Sequence, residues 1–216
     1  YLMVAGAAAQ IVLLSPVLIL LPLVSSRFRL GGSRRKVPVF VYYGALGLGF
    51  MFLEIGFLQK LILYLEQPVY AASVSIAGFL VFSGIGSQVS AWWHTDSRRV
   101  ATAAGVAVVV LGLGYLLAMD AWLKSAAVWI RFAVALGTIA PLAVAMGHLF
   151  PSGLRLVGEA EPVQVPWIWG VNGCTSVTAT VLAPLIAMHA GFFVVIAAAL
   201  ACYAIATVAV HVLPGA

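Results

Sequence analysis

Charge is what this chain has least of. Only 8% of its 216 residues are charged, against about 25% in an ordinary soluble domain. Six of them are acidic, too few and too scattered to pair as catalytic carboxylates or to build an acidic substrate pocket. The four histidines and two cysteines form no metal triad and no Ser/His/Asp grouping. Cys174 and Cys202 both fall in apolar runs, which excludes a disulfide framework and metal-ligand spacing. Gly47-Leu-Gly49 lies inside an apolar helix without the strand that a dinucleotide loop requires. No cofactor is expected. The basic excess, +5, does not point to nucleic acid, because most of it lies in short breaks between apolar runs and reads as a topology signal.

Hydrophobic residues, by contrast, make up 64% of the chain, and its mean hydropathy is +1.14. That composition describes a polytopic membrane protein whose first partner is the lipid bilayer. Seven apolar runs, at about 2–24, 37–58, 69–91, 100–119, 127–150, 166–188 and 191–212, each approach the ~20 residues needed to cross hydrocarbon. They are continuous rather than alternating, so the expected fold is an all-α transmembrane helical bundle and not a barrel. Residues 1–216 read as a single transmembrane domain. The start at Tyr1, without a basic leader or a small-residue cleavage site, reads as a fragment of a longer chain.

Arg27, Arg29, Arg34, Arg35 and Lys36 crowd the first break, Ser25 to Lys36, and should be cytoplasmic. Alternation places Arg98, Arg99 and Arg155 on the same side and Lys60, Lys124 and Arg131 on the other. Eight against three orients the amino terminus outward and the carboxyl terminus inward. Trp92, Trp93, Trp122 and Trp129 are expected as interfacial belts.

The costliest side chain is Glu54, set in the apolar stretch Gly44 to Lys60. An ionised group in hydrocarbon costs about 2.5–3.5 kcal/mol on insertion scales. Glu54 is therefore a candidate ligand or proton site, or one half of a structural ion pair with Arg131, which the topology places at similar depth. The same run continues to Leu65, either as one long tilted helix or as a span followed by an interfacial helix. In the third run Ser83, Ser87 and Ser90 form a hydroxyl stripe at i, i+4 and i+7, for helix packing or a substrate path. Pro141 should kink the fifth span, which carries His148, a possible proton site or a hydrogen-bonded structural group, and ends near Arg155. A solvated loop over Val157 to Gln164 follows. In the sixth run Asn172, Thr175, Ser176 and Thr180 share one face, which must meet protein or water. Asn172 and Ser176 are candidate ligand contacts, or interhelical glue.

Taken together, Gly47-Leu-Gly-Phe-Met-Phe-Leu-Glu-Ile-Gly-Phe-Leu-Gln59, Pro68-Val-Tyr-Ala-Ala-Ser-Val74, Gly84-Ile-Gly-Ser87, Phe150-Pro-Ser-Gly-Leu-Arg155 and Val165-Pro-Trp-Ile-Trp-Gly-Val-Asn-Gly173 resemble the membrane region of bacterial spermidine-synthase-like fusion proteins. The resemblance implies a multi-pass protein of the bacterial inner membrane, similar to part of a major facilitator fold. It also implies a methyltransferase-fold, aminopropyltransferase-like domain in the same polypeptide. Nothing in these residues matches that catalytic domain, so its activity would belong outside this segment.

Three functions stay open on sequence grounds. Glu54, the Asn172 face and the proline-interrupted helices support a transport or ligand-binding module, with a cationic small molecule such as a polyamine as its ligand. The absence of a tight chemical constellation supports a structural anchor or accessory subunit, with further helices or partner subunits beside it. A membrane-embedded enzyme is the least supported.

Overall fold

The computed structural model describes residues 36–92, 96–118 and 127–214, together with Gly6 and Val17. The first predicted span apart from Gly6 and Val17, nearly all of the basic stretch after it, Trp93, His94, Trp122 and Lys124 lie outside the described residues. Among the described residues six helices are long and apolar enough to cross a membrane, and no strand occurs. The chain is a multi-pass membrane protein built as an all-α bundle. Its elements are α1 (Lys36–Leu65), α2 (Pro68–Trp92), α3 (Ser97–Ala118), α4 (Val128–Ala160), a 3₁₀ turn at Pro162–Gln164, α5 (Val165–Ala190), α6 (Phe192–Ala209) and a closing 3₁₀ turn at Val210–Val212.

Local chemistry sets the breaks. Glu66 ends α1 in the left-handed region, φ 60°, and Pro68 opens α2 at the first helical position, where its missing N–H costs nothing. Asp96 caps α3 by accepting from the Arg98 amide, 2.9 Å. Gly191, φ 83°, separates α5 from α6 in a conformation that suits glycine.

One open alternative is decided here, in favour of a single long helix, and one expectation is corrected. The α1 helix runs unbroken through Leu65, 30 residues or about 45 Å, so no separate interfacial helix follows the span. Its length exceeds the ~30 Å hydrocarbon core and requires tilt or protrusion. The α4 helix, 33 residues, continues through Pro141 and Pro151 to Ala160, so the predicted Val157 to Gln164 loop is mostly helix. Packing holds that segment. The Tyr42 hydroxyl donates to the Leu149 carbonyl at 2.7 Å, and a Cβ at Gly153 would press on the Tyr42 ring and the Tyr43 hydroxyl. Val157 and Gln164 are buried, and Gln164 donates to the Glu161 carboxylate, while Glu159, Ala160, Pro162 and Val163 are exposed as expected.

α1 occupies the centre, against α2, α4, α5 and α6, while α3 packs on α4 and α6. Its glycines explain how two helices approach it at once. Gly44 and Gly47 face α5, where a Cβ at Gly47 would come within 2.6 Å of the Asn172 carbonyl. Gly49 and Gly56 face α6, meeting Tyr203 and Ile196. Positions 47 and 49 are about 200° apart on a helix, so alternate glycines open opposite flanks. Helices α2 and α4 meet backbone to backbone. A Cβ at Gly86 would collide with the Val144 carbonyl, and one at Gly147 with the Ser83 carbonyl.

Candidate functional site

A cavity of ≈ 380 Å³ opens between α2 and α4 on one side and α5 on the other, with α1 as its floor. Ser83, Ser87, Asn172 and Ser176 line it, so the hydroxyl stripe and the polar α5 face converge on one space. Aromatic walls complete it: Phe50, Phe150, Trp169 and Tyr203. Trp169 leans on Phe150 with ring centroids 4.7 Å apart and is itself 57% exposed at the rim. No charged side chain is among the lining residues.

The polar groups differ in how far they are satisfied. Asn172 donates its amide nitrogen to the Tyr43 carbonyl at 3.2 Å, and Ser176 donates to the Gly47 carbonyl at 3.4 Å. Both bonds join α5 to α1 beside the glycines that allow the approach. Asn172 Oδ1 accepts nothing from the described residues. Ser83 donates to the Leu80 carbonyl of its own helix at 3.3 Å. Ser87 makes no hydrogen bond among the described residues. Thr175 and Thr180 are spent on carbonyls of α5 itself, and Thr180 is exposed away from the cavity.

Two of the predicted site residues lie elsewhere. His148 is buried with Nδ1 2.7 Å from the Val144 carbonyl one turn back, a bond within its own helix, and it does not line the cavity. Glu54 is half-buried on the far side of α1's midpoint from Lys36. Its backbone carbonyl accepts from Ser75 Oγ at 3.3 Å, while its carboxylate makes no hydrogen bond or ion pair among the described residues. The proposed pairing with Arg131 is not formed. Arg131 Nη1 sits 3.0 Å from the Tyr64 carbonyl and 3.4 Å from Glu66. Because α1 continues to Leu65, its last turn meets the start of α4, and Tyr64 is ten residues, about 15 Å, beyond Glu54.

Sequence reasoning missed the surroundings of Arg155, which it counted only as a topology charge. The guanidinium donates to three serine hydroxyls from three different helices or helix ends. Ser97 is 3.2 Å from Nε, Ser90 is 3.4 Å from both Nη atoms, and Ser152 is 3.3 Å from Nη2. Ser90 and Ser152 are fully buried. A second arginine, Arg98, reaches the far end of the chain and donates to the carbonyls of Val210, His211 and Leu213 at 3.2, 2.5 and 3.1 Å, tying α3 to the end of α6. Comparison with known protein families, curated proteins and solved structures finds no match for this chain.

Proposed function

We propose that this chain is a solute-binding module of a bacterial inner-membrane transport or sensing protein, with its ligand held in the cavity beside Asn172. One observation carries the reading: the Ser87 hydroxyl and the Asn172 amide oxygen border one open, aromatic-walled cavity with hydrogen-bonding capacity unspent. Both side chains are only partly buried, so water can meet them when no solute is bound, and a polar solute seated there takes over those hydrogen bonds. Aromatic walls with a few convergent polar groups are the ordinary make-up of a small-molecule site.

The lining supports an uncharged ligand portion. A polyamine would leave several positive charges against hydroxyls and aromatic rings, and Glu54, the carboxylate that motivated a cationic ligand, lies outside the cavity. The resemblance to spermidine-synthase-like membrane regions supports a larger assembly, in which a methyltransferase-fold domain or further helices adjoin this bundle.

The test uses quenching of Trp169 by 3-bromo-1-propanol in phospholipid nanodiscs, with the other five tryptophans changed to phenylalanine. Binding in the cavity gives quenching that saturates, and Ser87→Leu, which fills the space, abolishes the saturable part. Quenching that rises linearly and equally in both proteins rejects the site.

A further inference from the structure

The Arg155 cluster contains donors in excess of acceptors. Arginine has no acceptor, and it is effectively always charged. Each of the three serines accepts from it through a lone pair and makes no other hydrogen bond among the described residues, so three hydroxyl protons remain unspent. Four other serines of this bundle donate their proton to a carbonyl: Ser73 and Ser83 to one of their own helix, and Ser75 and Ser176 to one of α1.

Carboxylates are within reach in sequence and are not used. Glu159 stands at i+4 from Arg155, the usual spacing for a helical ion pair, yet it is exposed and no carboxylate lies within 4.0 Å of the guanidinium among the described residues. Asp96, next to Ser97, is taken by Arg99 at 3.6 Å and by the Arg98 amide. The guanidinium therefore turns away from its helical carboxylate partner and into a ring of hydroxyls, two of which are fully buried.

Position links this cluster to the cavity. Ser90 follows the lining residue Ser87 by one turn on the same face of α2, and Arg155 follows the lining residue Pro151 by one turn on α4. Both steps, about 4.5 and 6 Å, lead toward the end of the bundle that holds Lys36, Arg98 and Arg99. We infer that Arg155, with Ser90, Ser97 and Ser152, binds the anionic head of the molecule whose uncharged part fills the cavity: a carboxylate or phosphate ester on a short apolar body. This rests on the cavity reading above. The same chemistry is offered by a free amphiphilic acid and by the head of an anionic lipid entering between α2 and α5.

The Trp169-only protein separates these outcomes with isosteric probes. 3-Bromopropionate should half-saturate quenching at about one-tenth the concentration that 3-bromo-1-propanol needs, the gain of one charge-assisted pair. Arg155→Gln should erase that advantage while the alcohol still saturates, and Arg155→Lys should keep part of it. Size-exclusion profiles and helicity identify any variant that fails to fold, and the alcohol's saturation in Arg155→Gln shows that the cavity survives. An advantage for the acid that persists in Arg155→Gln, or none in the unaltered protein, overturns the inference while leaving the cavity site standing. If neither probe saturates in the unaltered protein, the cavity reading fails and this one with it. Repeating the titration in phosphatidylglycerol discs distinguishes the sources. Competition that raises the acid's half-saturation several-fold assigns the site to a lipid head, and an unchanged value assigns it to a free acid.

Discussion

Two glycines on one helix give the sharpest test of the packing. Gly137 and Gly147 both lie within α4, and both changes to alanine add one methyl to a helical position. Helix propensity alone favours alanine by about 0.8–1.0 kcal/mol at each. Their surroundings differ completely: a Cβ at Gly137 meets nothing within 4 Å, whereas one at Gly147 collides with the backbone carbonyl of Ser83. Backbone cannot rotate aside as a flexible side chain does, so α2 and α4 must separate. Overpacking of this kind costs about 1–3 kcal/mol. Gly137→Ala should therefore stabilise the protein by up to about 1 kcal/mol. Gly147→Ala should range from neutral to about 2 kcal/mol destabilising, leaving the two variants about 1–3 kcal/mol apart.

Equilibrium unfolding in mixed micelles, followed by far-ultraviolet circular dichroism, measures both. The reciprocal contact supplies a control, because a Cβ at Gly86 meets the Val144 carbonyl across the same crossing. Once one alanine has parted the helices, the second has less left to disturb. The Gly86→Ala, Gly147→Ala double variant should thus cost less than the sum of its parts, by at least 0.5 kcal/mol. Equal stabilisation by Gly137→Ala and Gly147→Ala, or strict additivity of the Gly86 and Gly147 changes, would refute a backbone-to-backbone crossing of α2 and α4.

The remaining predictions concern the two ends of the bundle. In a background lacking Cys174 and Cys202, cysteines placed at Ala127 and Glu159, at opposite ends of α4 and both exposed, should react with an impermeant thiol reagent from opposite sides of the membrane. The basic-residue bias assigns Ala127 to the outer side, so labelling of Glu159→Cys from outside would invert the orientation. Glu66→Gly should raise stability by about 1 kcal/mol, since it relieves a left-handed residue, φ 60°, and gives up only an ion pair whose carboxylate partner is 70% exposed. A loss of stability measured by the same unfolding assay would mean that the Arg131 contact is worth more than the strain.

The elements legible in the sequence were those written into a single helix. Ser83 and Ser87, like Asn172 and Ser176, declare a shared face through helical periodicity alone, and each face had to turn inward because lipid offers no hydrogen-bond partner. Both faces do line the cavity. What periodicity cannot convey is the relative height of residues on different helices. Glu54 and Arg131 appeared level because each span was assumed to be just long enough to cross. The continuation of α1 to Leu65 moved its end, and with it Arg131's partners, by about 15 Å. The Arg155 cluster was illegible for a related reason: its hydroxyls come from positions 90, 97 and 152, and only the packing of α2, α3 and α4 brings them together. The paired flanks of α1 stand between these cases. Glycines at 44, 47, 49 and 56 announce close approach, but not that two different helices share it.

Glu54 tests what a lone carboxylate contributes to this fold. It lies 18 residues along α1 from Lys36, about 27 Å, and 12 residues before Glu66, about 18 Å. If the helix is centred in the bilayer, the side chain starts within about 5 Å of the midplane, beyond the reach of either interface. No cation approaches it among the described residues, and Ser75 donates to its main-chain carbonyl rather than to its carboxylate. Replacement by glutamine keeps the shape and removes an ionisable group that makes no bond, so Glu54→Gln should leave stability unchanged or raise it. Arg131→Ala, by contrast, removes the bond to the Tyr64 carbonyl and the contact with Glu66 and should destabilise. Since the two residues share no partner, the double variant should equal the sum of the singles within about 0.5 kcal/mol. Rescue of Arg131→Ala by Glu54→Gln would show that the two charges do interact, and would return Glu54 to the role of a buried ion-pair partner.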